Sequence, residues 1–297
     1  MTIRFIAHAG FEVFSKGLSL MIDPWFTSSS FEMPIIEGIL PGAKTIDFQI
    51  PESHDKVSEF KPDAIFLSHY HTHHSPMVDV IQLATKKPNC LIAGPSPKNE
   101  LIGAISDRIK SLAPQAKLEF FSHRKKISLE HFVIEAFEHP AKGHLGWIIE
   151  GEGQKIIHLA DAIVNSDFND RRLDSSWDFL KDLRPDLLLL SAGGNVTKGL
   201  YNGKAYLQEH SILSPFEAAR LTEFIMPKSV GVMGVFHHSI WKSRAEFALP
   251  SSIAEEQFTW AANILCPSVH VIPLRPGYSI DLNKAELTIT PSKKSGA

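Results

Sequence analysis

Cysteine is nearly absent: the 297-residue chain holds two, Cys90 and Cys266, each beside apolar sequence. Two thiols without a CxxC pair argue against a disulfide framework and a thiolate metal site, and fit buried free thiols. The opening MTIRFIAHAGFEVF lacks the cationic start and long apolar core of a secretory signal. No apolar run approaches the roughly 20 residues that cross a bilayer. The longest, Leu187 to Leu190, reads as a buried strand. A cytoplasmic protein with no stable membrane insertion is the expectation. Excess charge is lacking too. The net charge is −3, and the densest basic run, His123-Arg124-Lys125-Lys126, reads as a solvated turn. Nucleic acid is therefore not an expected partner.

What is present is an ordinary globular composition, 43% hydrophobic and 21% charged, with ample length for a large core. The N-terminal stretch from Ile3 to Ser15 reads as one partly alternating strand. Lys16-Gly17 reads as a hairpin turn and LSLMIDP as the next strand. The segment from Trp25 to about Asp55 has no clear period, yet its aromatic and apolar content argues against plain disorder. DAIFLS and CLIAG read as buried strands, each followed by a helical pattern (76–85 and 98–112). Later strands are LEFF, HFVIEAFEH, GWIIEG, QKIIHLAD, DLLLLSAGG, VGVMGVFHH, VHVIPL and AELTIT, with a Gly-Glu-Gly turn at 151–153. Ser214-Pro215-Phe216-Glu217 carries a capping box with proline in the first turn, and a further helix is expected over 251–265. The pattern predicts one α/β domain over residues 1–297, frayed from about 292.

Histidine is the anomaly, with 15 in the chain, and the histidines cluster. FLSHYHTHHSP places His69, His71, His73 and His74 directly after a buried strand. Imidazoles at i and i+2 of an extended segment point the same way and can converge on one ion, and zinc and similar metals accept them readily. His139, Asp161, His237 and His238 also stand where predicted strands run out, the place where α/β sheets present their sites. His8 and His158 read as structural, within or beside strands.

The histidine stretch resembles the metallo-β-lactamase superfamily signature H-x-H-x-D-H, with His73 in the aspartate place. HAGFEVFSKGLSLMIDPWF resembles that superfamily's opening hairpin and aspartate turn, with Asp23 matching. HLADA resembles its bridging-aspartate strand, with Asp161 matching and Ala160 in place of the usual glycine. DLLLLSAGGN, LSPFEAARL and VMGVFHH resemble the branch that includes ascorbate-6-phosphate lactonase and N-acylphosphatidylethanolamine phospholipase. The resemblance runs from about Ile3 to about Ile272. It implies a four-layer αβ/βα sandwich with two divalent ions at its edge, zinc first, with manganese or iron as alternatives. Carried over residue by residue, His69, His71 and His139 would hold the first ion. His74 and His237 would hold the second, with Asp161 bridging. His144 stays an alternative to His139, and His238 to His237. Asp23 would sit behind the ligands and fix an imidazole tautomer. Trp25, Phe26 and Phe31 are candidates for the pocket wall or for ordinary core packing.

Two divalent ions about 3.5–4 Å apart can hold a bridging hydroxide, clamp a substrate oxygen and offset developing negative charge. The expected activity is hydrolysis of a small or medium ester, lactone, amide or phosphodiester, with Asp161 and His73 as catalytic candidates. Homo-oligomerisation is left open. His73 departs from the superfamily pattern. It keeps a donor atom, and a neutral imidazole can still ligate or act as a base, but one negative charge is gone. The alternative is thus a non-hydrolytic or single-metal member acting as a metal- or ligand-binding protein.

Overall fold

A computed structural model describes residues 1–26, 30–31, 46–47, 56–70, 74, 76–96, 100–138, 143–162, 177–181, 183–193, 196–201, 204–210, 213–233, 251–284 and 288–291. The chain opens with β1 (Thr2–Ala7), β2 (Gly10–Ser15) and β3 (Leu18–Ile22). A short pair follows, β4 (Ser30–Phe31) and β5 (Ile46–Asp47), then β6 (Ala64–Phe66), α1 (Met77–Ala84), β7 (Leu91–Pro95), α2 (Glu100–Leu112) and β8 (Lys117–Phe121). The next elements are β9 (Lys126–Leu129), β10 (Phe132–Glu138), β11 (Leu145–Gly151), β12 (Gln154–His158), α3 (Asp178–Lys181) and β13 (Leu187–Ser191). The chain continues through β14 (Val196–Tyr201), β15 (Lys204–His210), α4 (Pro215–Ile225), β16 (Ser229–Met233), α5 (Ser251–Leu265), β17 (His270–Ile272), β18 (Tyr278–Asp281) and β19 (Thr288–Pro291).

The strands form an eight-stranded sheet, β19-β18-β1-β2-β3-β6-β7-β8, and a seven-stranded sheet, β17-β16-β13-β12-β11-β10-β9. Apolar residues of both sheets, among them Phe11, Leu20, Phe66, Ile134, Trp147 and Leu189, share one buried core. The outer face of the first sheet packs on α1 and α2 through Ile65, Ile92, Val80, Leu83 and Ile109. The outer face of the second packs on α4 and α5 through Leu188, Val230, Leu221, Phe258 and Ala262. The layers therefore run helix, sheet, sheet, helix, the expected αβ/βα sandwich. β3, β6, β7 and β8 are mutually parallel, as are β12, β13, β16 and β17. β3, β6, β7, β13 and β16 are buried along their whole length, which explains why these inner strands read as largely apolar runs.

Both predicted hairpin turns are present. Lys16 (φ 48°) with Gly17 (φ 85°) and Glu152 (φ 54°) with Gly153 (φ 76°) put two consecutive residues in the left-handed region, as a tight hairpin matching strand twist requires. The capping box of α4 also forms. Ser214 Oγ accepts from the Glu217 amide at 3.3 Å, and Glu217 Oε2 accepts from the Ser214 amide at 2.8 Å. One expectation is corrected: the stretch from Ile3 to Ser15 is two antiparallel strands, broken at His8-Ala9, with His8 at φ 52°.

This correction positions the site. β1 is antiparallel to β2, which is antiparallel to β3, so β1 and β3 run the same way. The turn at His8 and the turn at Asp23 therefore lie on one edge of the sheet, beside the end of β6. In the second sheet β11 pairs antiparallel with β12, Trp147 opposite His158, which brings the start of β11 beside the end of β12.

Candidate metal centre

Asp23 follows β3, Ser68 and His69 follow β6, Asp161 follows β12, and His144 precedes β11. His74 lies just ahead of α1. Asp23 is completely buried. Its main-chain N–H donates to the Phe66 carbonyl at 2.9 Å, tying the two strand ends together. Its carboxylate takes three hydrogen bonds. Oδ1 accepts from the Ser68 amide at 2.7 Å, and Oδ2 accepts from Ser68 Oγ at 2.5 Å and from His74 Nδ1 at 2.8 Å. Ser68 Oγ in turn lies 2.9 Å from His69 Nδ1. Since the serine proton points to the carboxylate, its oxygen accepts from His69 Nδ1–H. One buried carboxylate therefore places the Nδ1 proton on both histidines and turns both Nε2 atoms away from itself.

Both Nε2 atoms face Asp161. His74 Nε2 lies 3.3 Å from Oδ1, and His69 Nε2 lies 3.7 Å from Oδ2. The same carboxylate thus presents one oxygen to each of two histidines. Ala160, just before it, sits at φ 51°, where the superfamily's usual glycine would be unstrained. Burial works against a charge on His74, but Asp161 and then Asp23 outweigh it and carry the imidazole up to about 10. His144 stacks flat on His69, with ring centroids 3.9 Å apart and planes 9° from parallel. Burial pushes its pKa down, despite the pull of Asp161, and its ring also hydrogen-bonds the Asp161 main chain.

His8, read from the sequence as structural, stands in this group: its Nε2 is 3.2 Å from His74 Nε2. Ligand atoms of His8, His74 and Asp161 all lie within 4.8 Å of one another, and all three residues are buried. The signal that would have found it is His8-Ala9 followed by Gly10, a turn running into the next strand rather than strand interior. His158 does act structurally. It donates from Nε2 to the Ala9 carbonyl at 3.0 Å, and burial lowers its pKa. Trp25 is buried edge-on to the His8 ring, 5.6 Å between centroids. Phe26 packs on Phe60, and its amide donates to the buried Asp79 carboxylate at 2.7 Å. His71, His73, His139, His237 and His238 lie outside the described residues, as does the side chain of Phe31. β10 and β16 end at Glu138 and Met233 on the same edge as β12.

Buried imidazoles and a carboxylate converging on one point are the donor set that zinc, manganese and iron accept. The residues fit a divalent ion chemically.

The profile of the family described as "Beta-lactamase superfamily domain" matches residues 2–211. The chain belongs to the metallo-β-lactamase superfamily. A UPF0173 metal-dependent hydrolase of Thermococcus onnurineus is 23% identical over 288 residues, covering 94% of this chain and 99% of the relative. Among solved structures, Igni18, a metallo hydrolase from Ignicoccus hospitalis, superposes with a TM-score of 0.59 at 16% identity, covering 94% of this chain and 96% of its own. CmlA, a diiron β-hydroxylase from Streptomyces venezuelae, superposes with a TM-score of 0.63 at 14% identity, covering 92% of this chain and 53% of its own. Metallo-β-lactamase architecture thus accounts for the two facing sheets and for the strand ends gathered along one edge.

Proposed function

We propose that the protein is a metal-dependent hydrolase with a two-ion site, acting on a small or medium ester, lactone, amide or phosphodiester. The observation that carries this reading is Asp161, whose two oxygens face His74 and His69 separately, as a bridging carboxylate must. The superfamily and the hydrolase relatives support it. His69, with His71 and either His139 or His144, is assigned to the first ion. His74 is assigned to the second, with His237 or His238 as a further donor, and Asp161 is assigned to bridge the two. Zinc suits an imidazole-rich set, and manganese and iron remain alternatives. The two buried free thiols suit a reducing, cytoplasmic setting. Among the described residues no helix is long and apolar enough to cross a membrane.

Bound divalent ions would polarise the scissile carbonyl or phosphoryl group and acidify water near neutral pH. The chain's own residues prepare for this. Asp23 and Ser68 hold the tautomers of His74 and His69, so that both Nε2 lone pairs face inward. His144 braces His69 and the Asp161 main chain. The two-sheet core fixes the spacing of these loops before any ligand arrives.

Elemental analysis of protein made without chelators is expected to give two metal equivalents per chain. Stripping the metal is expected to abolish turnover on an ester, lactone, amide and phosphodiester panel, and reloading zinc, manganese or iron to restore it. No metal, with no effect of His69→Ala on uptake, would overturn the reading. One equivalent without turnover would favour a single-metal binding protein.

A further inference from the structure

We propose that His8 is a direct ligand of the second ion, so that a residue of the first hairpin joins His74 and Asp161 in one donor set. This rests on the metal-dependent reading above. It adds a ligand outside the superfamily's histidine motif and makes no use of position 73.

The distances carry it. Zinc binds imidazole nitrogen and carboxylate oxygen at about 2.0–2.2 Å in tetrahedral geometry, so neighbouring donors stand roughly 3.3 Å apart. His8 Nε2 to His74 Nε2 is 3.2 Å, and His74 Nε2 to Asp161 Oδ1 is 3.3 Å. Those two separations match the edges of a tetrahedron, and all three ligand atoms lie within 4.8 Å of one another. With His237 or His238 as the further donor the set reaches three imidazoles and one carboxylate, which would complete a tetrahedral site, and a substrate oxygen would then be taken up by expansion to five-coordination, as catalytic zinc allows. One anionic donor among neutral imidazoles leaves a divalent ion with net positive charge, suited to a substrate oxygen.

The position of His8 is also built. It holds a left-handed backbone, φ 52°, which is costly for a residue with a side chain and persists only where neighbours enforce it. Three neighbours do. His158, three residues before Asp161, holds the Ala9 carbonyl at 3.0 Å, linking the hairpin turn to the strand that ends in Asp161. Gly10 lies so close beneath the aspartate turn that an added Cβ would stand 2.9 Å from the Asp23 carbonyl oxygen. The Trp25 ring closes the outer side of His8 edge-on. The turn is thus tied to both carboxylate-bearing loops, whereas a surface hairpin needs neither tie.

A hydrogen bond between His8 and His74 would satisfy the 3.2 Å contact equally well, and the experiment separates the two. Wild type, His8→Ala and His8→Cys are titrated with cobalt(II) and with zinc against a competing chelator. Native Cys90 and Cys266 are buried in the helix-facing cores, so the wild type should show no thiolate-to-cobalt band. A near-ultraviolet charge-transfer band in His8→Cys places position 8 on the ion. His8→Ala should bind the second ion at least on the order of 100-fold more weakly, beyond the loss from an outer partner alone, with the first ion unchanged. If His8→Ala does not fold, the cysteine band decides. Two ions in His8→Ala with wild-type affinity overturns the inference and leaves the hydrolase reading standing. A weakened second ion without the band makes His8 a positioning residue and also overturns it. No uptake by the wild type would remove both.

Discussion

Replacing Asp23 by asparagine removes one charge at constant shape from the point where the site's hydrogen bonds meet. The buried carboxylate accepts from the Ser68 amide, Ser68 Oγ and His74 Nδ1 at 2.7, 2.5 and 2.8 Å. An amide oxygen can keep the first. The amide NH2 then faces two groups that previously donated, and a charged His74 loses one of its two carboxylates. A hydrogen bond to a charged group contributes about 1.5–3 kcal/mol, and breaking a buried pair costs about 3–5 kcal/mol. The metal-free variant should thus unfold about 3 kcal/mol more easily in urea at pH 6. The sign of the pH dependence follows from the raised pKa. His74 moves from 6.5 to about 10, so stabilisation from its charge is complete below about pH 6.5 and lost as pH rises through about 10. The gap between wild type and variant should narrow across that window. The NH2 also favours an unprotonated Nδ1, which puts the proton on Nε2, the atom proposed to face the second ion. Zinc affinity should then fall about 10–100-fold. A variant within about 0.5 kcal/mol of wild type, with unchanged zinc affinity, would refute the role assigned to Asp23.

Two further outcomes are expected. On the proposed role of His74 as a ligand, metal uptake by the stripped protein at pH 8 should release close to one proton, because Asp161 and Asp23 raise its pKa to about 10 and a ligand nitrogen must be free. Calorimetry in buffers of different ionisation enthalpy measures this, and a buffer-independent heat would contradict it. Gly10→Ala should destabilise by about 1–3 kcal/mol, since the new methyl meets the main-chain oxygens of Asp23 at 2.9 Å and Ala7 at 3.0 Å, which cannot rotate aside. Denaturant midpoints check this, and a shift near zero would mean the hairpin has slack.

Much of the fold was legible because its causes are local. Unbroken apolar runs marked the parallel strands, Lys16-Gly17 and Glu152-Gly153 marked turns, and Ser214 to Glu217 marked the start of α4. The β14–β15 hairpin went unread although Asn202-Gly203, a strong hairpin signal, stands between its strands. β9 alternates polar and apolar over only four residues, too short a run to read as a strand, and is held by pairing with β10. The break at His8-Ala9 was hidden because the residues on both sides alternate as one strand would.

The sequence by itself determined the superfamily motifs, the order of their residues along the chain and the strand ends that carry them. It also marked Asp23 and Asp161 as the carboxylates of interest, since a motif is a matter of spacing. Only the tertiary structure decided which atoms meet. His8 and His74 are 66 positions apart, and Asp23 and Ser68 are 45 apart. Their contacts depend on the directions of β1, β3 and β6 and on how the two sheets face each other. Donor distances of about 3.3 Å are set by that packing, and no local pattern of residues encodes them.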